Sequence, residues 1–145
     1  MRAPRLNFRN PVRVQIERGH EAFLTNISLD GCQLLSRGWF PISESKLALR
    51  ILLPYSTETT VRGQVTNAAV VQDEKLGQVY RLGMRFDAAD PRFHEFETWL
   101  VRAAKAQKEQ RLRLFQSQDD LQATALLKQV QLRNALEEER GGKTS

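Results

Sequence analysis

The sequence is short of the residues from which most catalytic and metal sites are built. It contains one cysteine, Cys32, which excludes an internal disulfide and a cysteine-rich zinc site and makes a reducing compartment the simplest expectation. Its two histidines, His20 and His94, fall in a turn and at a helix start, far apart and without a His-x-x-x-His pair, so surface residues and no metal site are expected. No Gly-rich phosphate loop leads into a helix, and no glycine-flanked elbow surrounds Ser28. An enzyme is therefore not expected, and no catalytic residue or cofactor is assigned. Long apolar runs of about eighteen residues or more are missing, and Met1-Arg2-Ala3-Pro4-Arg5 leads into charged sequence rather than an apolar signal core, which points to the cytoplasm. Proline and glycine are both absent between Pro91 and Gly141.

What is present suits one small domain with an appendage. The chain has 145 residues, 41% of them apolar and 27% charged, enough to build a single core but not two. The net charge of +5 is unevenly spread. Arg2, Arg5, Arg9, Arg13 and Arg18 crowd the start of the chain against one acid, Glu17, and a second basic block runs from Arg102 to Arg113. Both are candidate anion-binding surfaces, although a solvated charged face is the commoner explanation of the second.

Residues 1–11, rich in arginine and holding Pro4 and Pro11, read as a flexible arm with little to bury. Residues 12–90 read as a small antiparallel barrel. Val12, Val14 and Ile16 alternate with Arg13, Gln15 and Glu17, which is the period of a half-buried strand. Ala22–Ile27 closes a hairpin with it, and further strands are expected over Cys32–Leu35, Leu47–Leu53, Val61–Val71, with Gly63 marking a bulge or bend, and Val79–Phe86. Trp39 and Phe40 are expected in a loop, packing on the core or contacting a ligand. Six short strands with hairpin-length connections suit a barrel, whose closure removes exposed edges.

Residues 91–140 read as a helical extension, with Asp90 as N-cap and Pro91 in the first helical position, and residues 141–145 as a tail. As one unbroken helix this stretch would span about 75 Å, too long to pack wholly on its own domain. Phe93, Phe96, Trp99 and Leu100 are apolar enough to dock on the barrel. Beyond them runs a sparse 4-3 spacing: Leu100, Ala104, Gln107, Arg111, Leu114, Gln118, Leu121, Ala125, Lys128, Leu132 and Ala135, with Leu126, Leu127 and Val130 on a neighbouring face. A coiled coil is not shown by so polar a stripe; a multi-helix bundle, or a hairpin broken near the capping-box-like Ser117-x-x-Asp120, fits better. Self-association through this segment is expected.

The stretch with most chemical content is Thr25-Asn26-Ile27-Ser28-Leu29-Asp30-Gly31. These are also ordinary turn residues, and a plain turn is the alternative reading. If the chain is still extended there, Asn26 and Ser28 share a face, and Gly31 is where the backbone can take a positive φ or let a ligand approach closely. A hairpin of the first two strands brings the arginine arm and this turn to the same end. Guanidinium forks pair with phosphate oxygens, stack on bases or bond the O6/N7 edge of guanine, chemistry that suits a small guanine nucleotide better than a long duplex.

The arginine-rich arm, Asn26-x-Ser28-x-x-Gly31, the six-strand pattern and the closing Tyr80-Arg81-Leu82-Gly83-Met84-Arg85-Phe86 together resemble the PilZ domain, a bacterial receptor module for cyclic di-GMP, over about residues 1–100. The resemblance implies a six-stranded PilZ-like β-barrel followed by a helix or helical hairpin. It also implies a cyclic di-GMP site in which Arg2, Arg5 and Arg9 close over Asn26, Ser28 and Gly31. The family's Arg-x-x-x-Arg spacing is met by Arg5 with Arg9 and by Arg9 with Arg13, while the position set back from the strand as in the family falls on Met1 to Arg5. These registers stay open. Two rival readings stand beside the receptor: a ligand-free oligomeric scaffold for an unidentified protein partner, and a basic barrel binding RNA or single-stranded DNA through the arm and Arg102–Arg113. The shortage of surface aromatics for base stacking disfavours nucleic acid.

Overall fold

The computed structural model describes residues 4–17, 20–38, 46–53, 57–108 and 120–142; Met1, Arg2, Arg18, Trp39, Phe40, Arg111, Arg113 and Ser117 lie outside the described residues. Six strands, β1 (Leu6–Ile16), β2 (His20–Ile27), β3 (Gly31–Ser36), β4 (Leu47–Leu52), β5 (Glu58–Asp73) and β6 (Gly77–Phe86), precede two helices, α1 (Phe93–Lys108) and α2 (Asp120–Gly142). Every strand pair is antiparallel, in the order β1-β2-β3-β6-β5-β4. Strand β4 returns to β1 through Val14↔Ile51, Gln15↔Arg50 and Ile16↔Leu49, closing the sheet as a barrel. Alternation drives this arrangement. Val14, Ile16, Leu24, Leu34, Leu49, Ile51, Val65 and Leu82 all turn inward and are almost fully buried, while their polar neighbours face out.

Strand β1 starts six residues before the predicted Val12, so residues 6–11 belong to the sheet rather than to an arm. Leu6 and Phe8 are the reason: they are 0% and 4% exposed and join the core. Between Asn7↔Asn26 and Val12↔Leu24 the β1 chain takes five steps against two on β2. This irregularity accommodates Pro11, which has no N–H to give to a regular ladder. On β5 the register shift falls between Val65 and Asn67, leaving Thr66 extra, and not at Gly63. Gly63 answers a different need, since a Cβ there would run into the Arg85 carbonyl.

The step into α1 comes two residues later than expected, since the helix starts at Phe93 and Pro91 lies in the turn before it. Asp90 Oδ1 accepts the Arg92 N–H at 2.8 Å and its carbonyl accepts the Phe93 N–H at 2.9 Å, which closes the turn leading into the helix. Phe93, Phe96, Trp99 and Leu100 then bury one face of α1. Phe96 meets Phe86 edge-on at 4.9 Å between ring centres, and Trp99 Nε1 donates to the Thr57 carbonyl at 2.8 Å.

The remaining helical sequence is a second helix packed along the first. Ala123, Leu126 and Val130 of α2 are buried, Arg133 Nη1 lies 3.0 Å from Glu97 Oε2, and the Arg133 guanidinium sits 5.9 Å from the centre of the Phe93 ring. Thus α2 docks by the face that neighbours the 4-3 stripe. Leu100, Ala104 and Gln107 of that stripe are buried on α1, whereas Ala125, Lys128, Leu132 and Ala135 are exposed on α2, so the two helices do not bury one continuous stripe. Helix α2 also runs on through Gly141 and Gly142, both expected in the tail. Among the described residues, no helix is long and apolar enough to cross a membrane.

Candidate functional site

The turn after β2 is built inward by Ser28. Strand β2 ends at Ile27, so the extended geometry that would place Asn26 and Ser28 side by side is not maintained. Ser28 is fully buried. Its N–H donates to the Gly31 carbonyl at 2.8 Å, and its Oγ accepts from the N–H groups of Asp30 at 3.2 Å and Gly31 at 3.3 Å. The hydroxyl therefore replaces water for the turn's own backbone, the usual way a serine stabilises a tight turn. Leu29 drops into the core at 3% exposure, and the Asp30 carbonyl accepts the Phe86 N–H at 2.8 Å, joining the turn to β6.

Gly31 is required for packing. The positive-φ glycine among the described residues is Gly77, at 79°, not Gly31. A Cβ on Gly31 would fall well inside the 3.0 Å limit of real Cβ contacts, against the backbone carbonyl of Met84. The close approach is thus made by strand β6, which pairs with β3 through Gly31↔Arg85 and Cys32↔Met84.

Asn26 faces the other way and meets the arm. Arg5 Nη1 donates to Asn26 Oδ1 at 2.5 Å, and Asn26 Nδ2 donates to Gln33 Oε1 at 2.9 Å. The pairing register extends this contact into a polar row: Asn7 on β1, Asn26 on β2, Gln33 on β3, Gly83 on β6 and Asn67 on β5. Paired residues share a face, and the flanking Leu34 and Leu82 point inward, so the row lies on the outside of the barrel. The Asn67 side chain lies over Gly83, where a Cβ would meet it at 2.5 Å. Alternation along β1 turns Arg9 outward with Asn7, on the opposite side from Leu6 and Phe8, and Arg9 is exposed.

The structure accordingly brings Arg5 and Asn26 together, places Arg9 on the same outer side of β1, and assigns Ser28 and Gly31 to shaping the turn. Arg2 is outside the described residues. Gln33, Asn67 and Gly83 were missed from sequence. The one cue was Gln33, a lone polar residue in Cys32-Gln33-Leu34-Leu35; its alignment with Asn26 depends on the bulge that leaves Thr25 extra between Leu24 and Asn26.

Electrostatically, the row presents amide donors and acceptors beside a guanidinium. Beneath it, burial pushes the Cys32 thiol far up, with the nearby Arg5 charge opposing weakly, so Cys32 is an inert core residue. A separate groove of about 570 Å³ lies between β4, β5 and α1, lined among others by Arg50, Thr60, Arg92, Trp99 and Arg102. It shares no residue with the turn, and Arg102 of the second basic block opens on it. Among the described residues no three His, Cys, Asp or Glu side chains form a metal-binding group.

The family model of the PilZ domain matches residues 1–103. The chain belongs to the PilZ family. This match covers the barrel, the Arg5–Asn26 contact and most of α1, and stops before α2. Solved structures carry the same fold. The PilZ domain with c-di-GMP of YcgR from Escherichia coli superposes with a TM-score of 0.56 at 17% identity, over 77% of this chain and 96% of that one. MrkH of K. pneumonia in its apo state gives 0.54 at 19% identity, over 75% of this chain and 55% of MrkH. The MrkH-c-di-GMP complex gives 0.51 at 21% identity, over 74% of this chain and 55% of that one. This PilZ chain thus spans about half the length of MrkH. Among curated proteins, none matches the sequence.

Proposed function

We propose that this PilZ protein is a non-enzymatic receptor for cyclic di-GMP, which it holds on the outside of the barrel between the arm and the polar row. The observation that carries the reading is the Arg5–Asn26 bond. It brings an arginine and an amide 21 residues apart into one site, on the two motifs through which the family resemblance implies ligand binding. In this account Arg5, with Arg2 and Arg9, supplies guanidinium forks for the phosphates and guanine edges. Asn26 and Gln33 offer amide groups to the base, and Ser28 and Gly31 hold the turn that sets Asn26 in place. Two solved PilZ-fold chains with the nucleotide, from YcgR and MrkH, support the ligand class. Closing the arm over the ligand would change the surface offered to a protein partner.

Calorimetry with cyclic di-GMP on the wild type and Arg5→Ala tests this. Saturable binding is expected, weakened in the variant by about 10- to 150-fold, the equivalent of roughly 1.5–3 kcal/mol for a lost charged hydrogen bond. Absence of heat from the wild type at tens of micromolar ligand would sink the proposal.

A second reading, an oligomeric scaffold, is favoured by Leu132 and Leu136. These are 66% and 52% exposed, one turn apart on the outer side of α2. Sedimentation of the full chain beside a Leu132→Glu, Leu136→Glu double variant separates the cases: an assembly that the double variant dissolves supports it, and a monomeric wild type removes it.

A further inference from the structure

Arg5 is held at both ends. Its guanidinium reaches Asn26, while its own backbone N–H donates to Gln122 Oε1 of α2 at 3.2 Å. Gln122 lies beyond the residues that the family model matches, so α2 reaches back to the arm from outside the PilZ module. Its position is fixed by its neighbours on α2: Ala123 and Leu126 are fully buried, Val130 nearly so, and Arg133 is latched to Glu97. On the arm side, Leu6 is fully buried and paired with Ile27, so Arg5 is the first residue outside the sheet and sets the direction in which the arm leaves it.

We infer that Gln122 is a positioning residue for the ligand clamp, through which the helical extension orients the arginine arm over the Asn26 turn. A residue just outside a strand has several backbone directions open to it, and a bond to its N–H removes most of them before any ligand arrives. Such pre-organisation raises affinity by lowering the ordering cost of binding. The coupling is reciprocal: if α2 docking favours ligand, then ligand must favour α2 docking by the same factor. The inference rests on the cyclic di-GMP reading for its functional consequence, while its structural half can be examined without ligand.

The test uses the full chain with Gln122→Met, which keeps length and helix propensity but loses the acceptor, and Gln122→Glu, which keeps an acceptor oxygen. Hydrogen exchange without ligand comes first. The Arg5 amide is expected to exchange faster in Gln122→Met, and at the wild-type rate in Gln122→Glu. Cyclic di-GMP titrations come next. Affinity is expected to fall about three- to tenfold in Gln122→Met and to be retained in Gln122→Glu. Added ligand should slow exchange along α2 in the wild type but not in Gln122→Met. Equal Arg5 exchange in wild type and Gln122→Met overturns the contact itself. Wild-type ligand binding that is unchanged in Gln122→Met overturns this inference alone, and a wild type that binds no cyclic di-GMP overturns the receptor reading with it.

Discussion

Substituting Gly31 by alanine separates a structural glycine from a ligand-facing one. The added methyl would collide with the Met84 carbonyl, an atom of the β6 backbone. A flexible side chain moves aside cheaply, but here β3 must part from β6 where Gly31↔Arg85 and Cys32↔Met84 are paired within a closed sheet. Overpacking of this kind costs about 1–3 kcal/mol, and the rigidity of the obstacle places the expected loss near the upper end. With a urea dependence of about 1–3 kcal/mol per molar, the unfolding midpoint should fall by about 1–3 M. Gly38→Ala is the control, because no atom lies within 4 Å of a Cβ there, and its midpoint should be unchanged. Urea unfolding of both variants, followed by circular dichroism, is the assay. A Gly31→Ala protein as stable as Gly38→Ala would refute the reasoning, most pointedly if it had also lost ligand binding, since the glycine would then serve ligand approach after all.

Breaking the latch between the helices with Arg133→Ala leaves Glu97, whose side chain is 8% exposed, without its closest cation, and should cost about 1–2 kcal/mol, between an exposed and a buried pair. Faster hydrogen exchange along α2, with the barrel unaffected, is the expected signature. The hydrogen bond from Lys46 at 2.8 Å holds the Asp87 carboxyl below its ordinary value, with partial desolvation opposing and the Ala89 N–H assisting. Its stabilising effect should thus be present above the unfolded value of 3.8 and be lost as the pH falls below it through the lowered folded value. Asp87→Asn should be less stable than the wild type near neutrality and indistinguishable from it in strong acid; a difference that persists unchanged at low pH would contradict this. Cys32 should resist thiol reagents in the native protein and react at the rate of unfolding, because burial keeps it as the thiol; fast labelling of the folded chain would show that the barrel opens there.

Much of the fold was legible because it rests on short-range alternation. Val14 and Ile16 against Arg13 and Gln15 announced a strand, and Asp90-Pro91 announced α1. What escaped depended on register. Leu6 and Phe8 are core residues in phase with Val14 and Ile16, but arginines, Asn10 and Pro11 surround them and hide the alternation. The candidate site was half legible for the same reason. Asn26 and Arg5 were visible as types, whereas Gln33 and Asn67 join them through bulges at Thr25 and Thr66 that no local pattern marks. Ser28 and Gly31 were singled out as ligand-facing, and their observed contacts serve the turn and the β3–β6 approach. The stripe on the helices misled beyond α1, since α2 packs by Ala123, Leu126 and Val130 on the neighbouring face.

In the proposed receptor, cyclic di-GMP lies on the polar row beneath Arg5. An amide-resolved NMR titration of the full chain with cyclic di-GMP tests it most directly. Saturable shifts are expected, centred on Arg5, Asn26, Gly31, Gln33 and Gly83, with the groove at Arg50 and Trp99 unmoved. Shifts confined to that groove, or none at all, would contradict it.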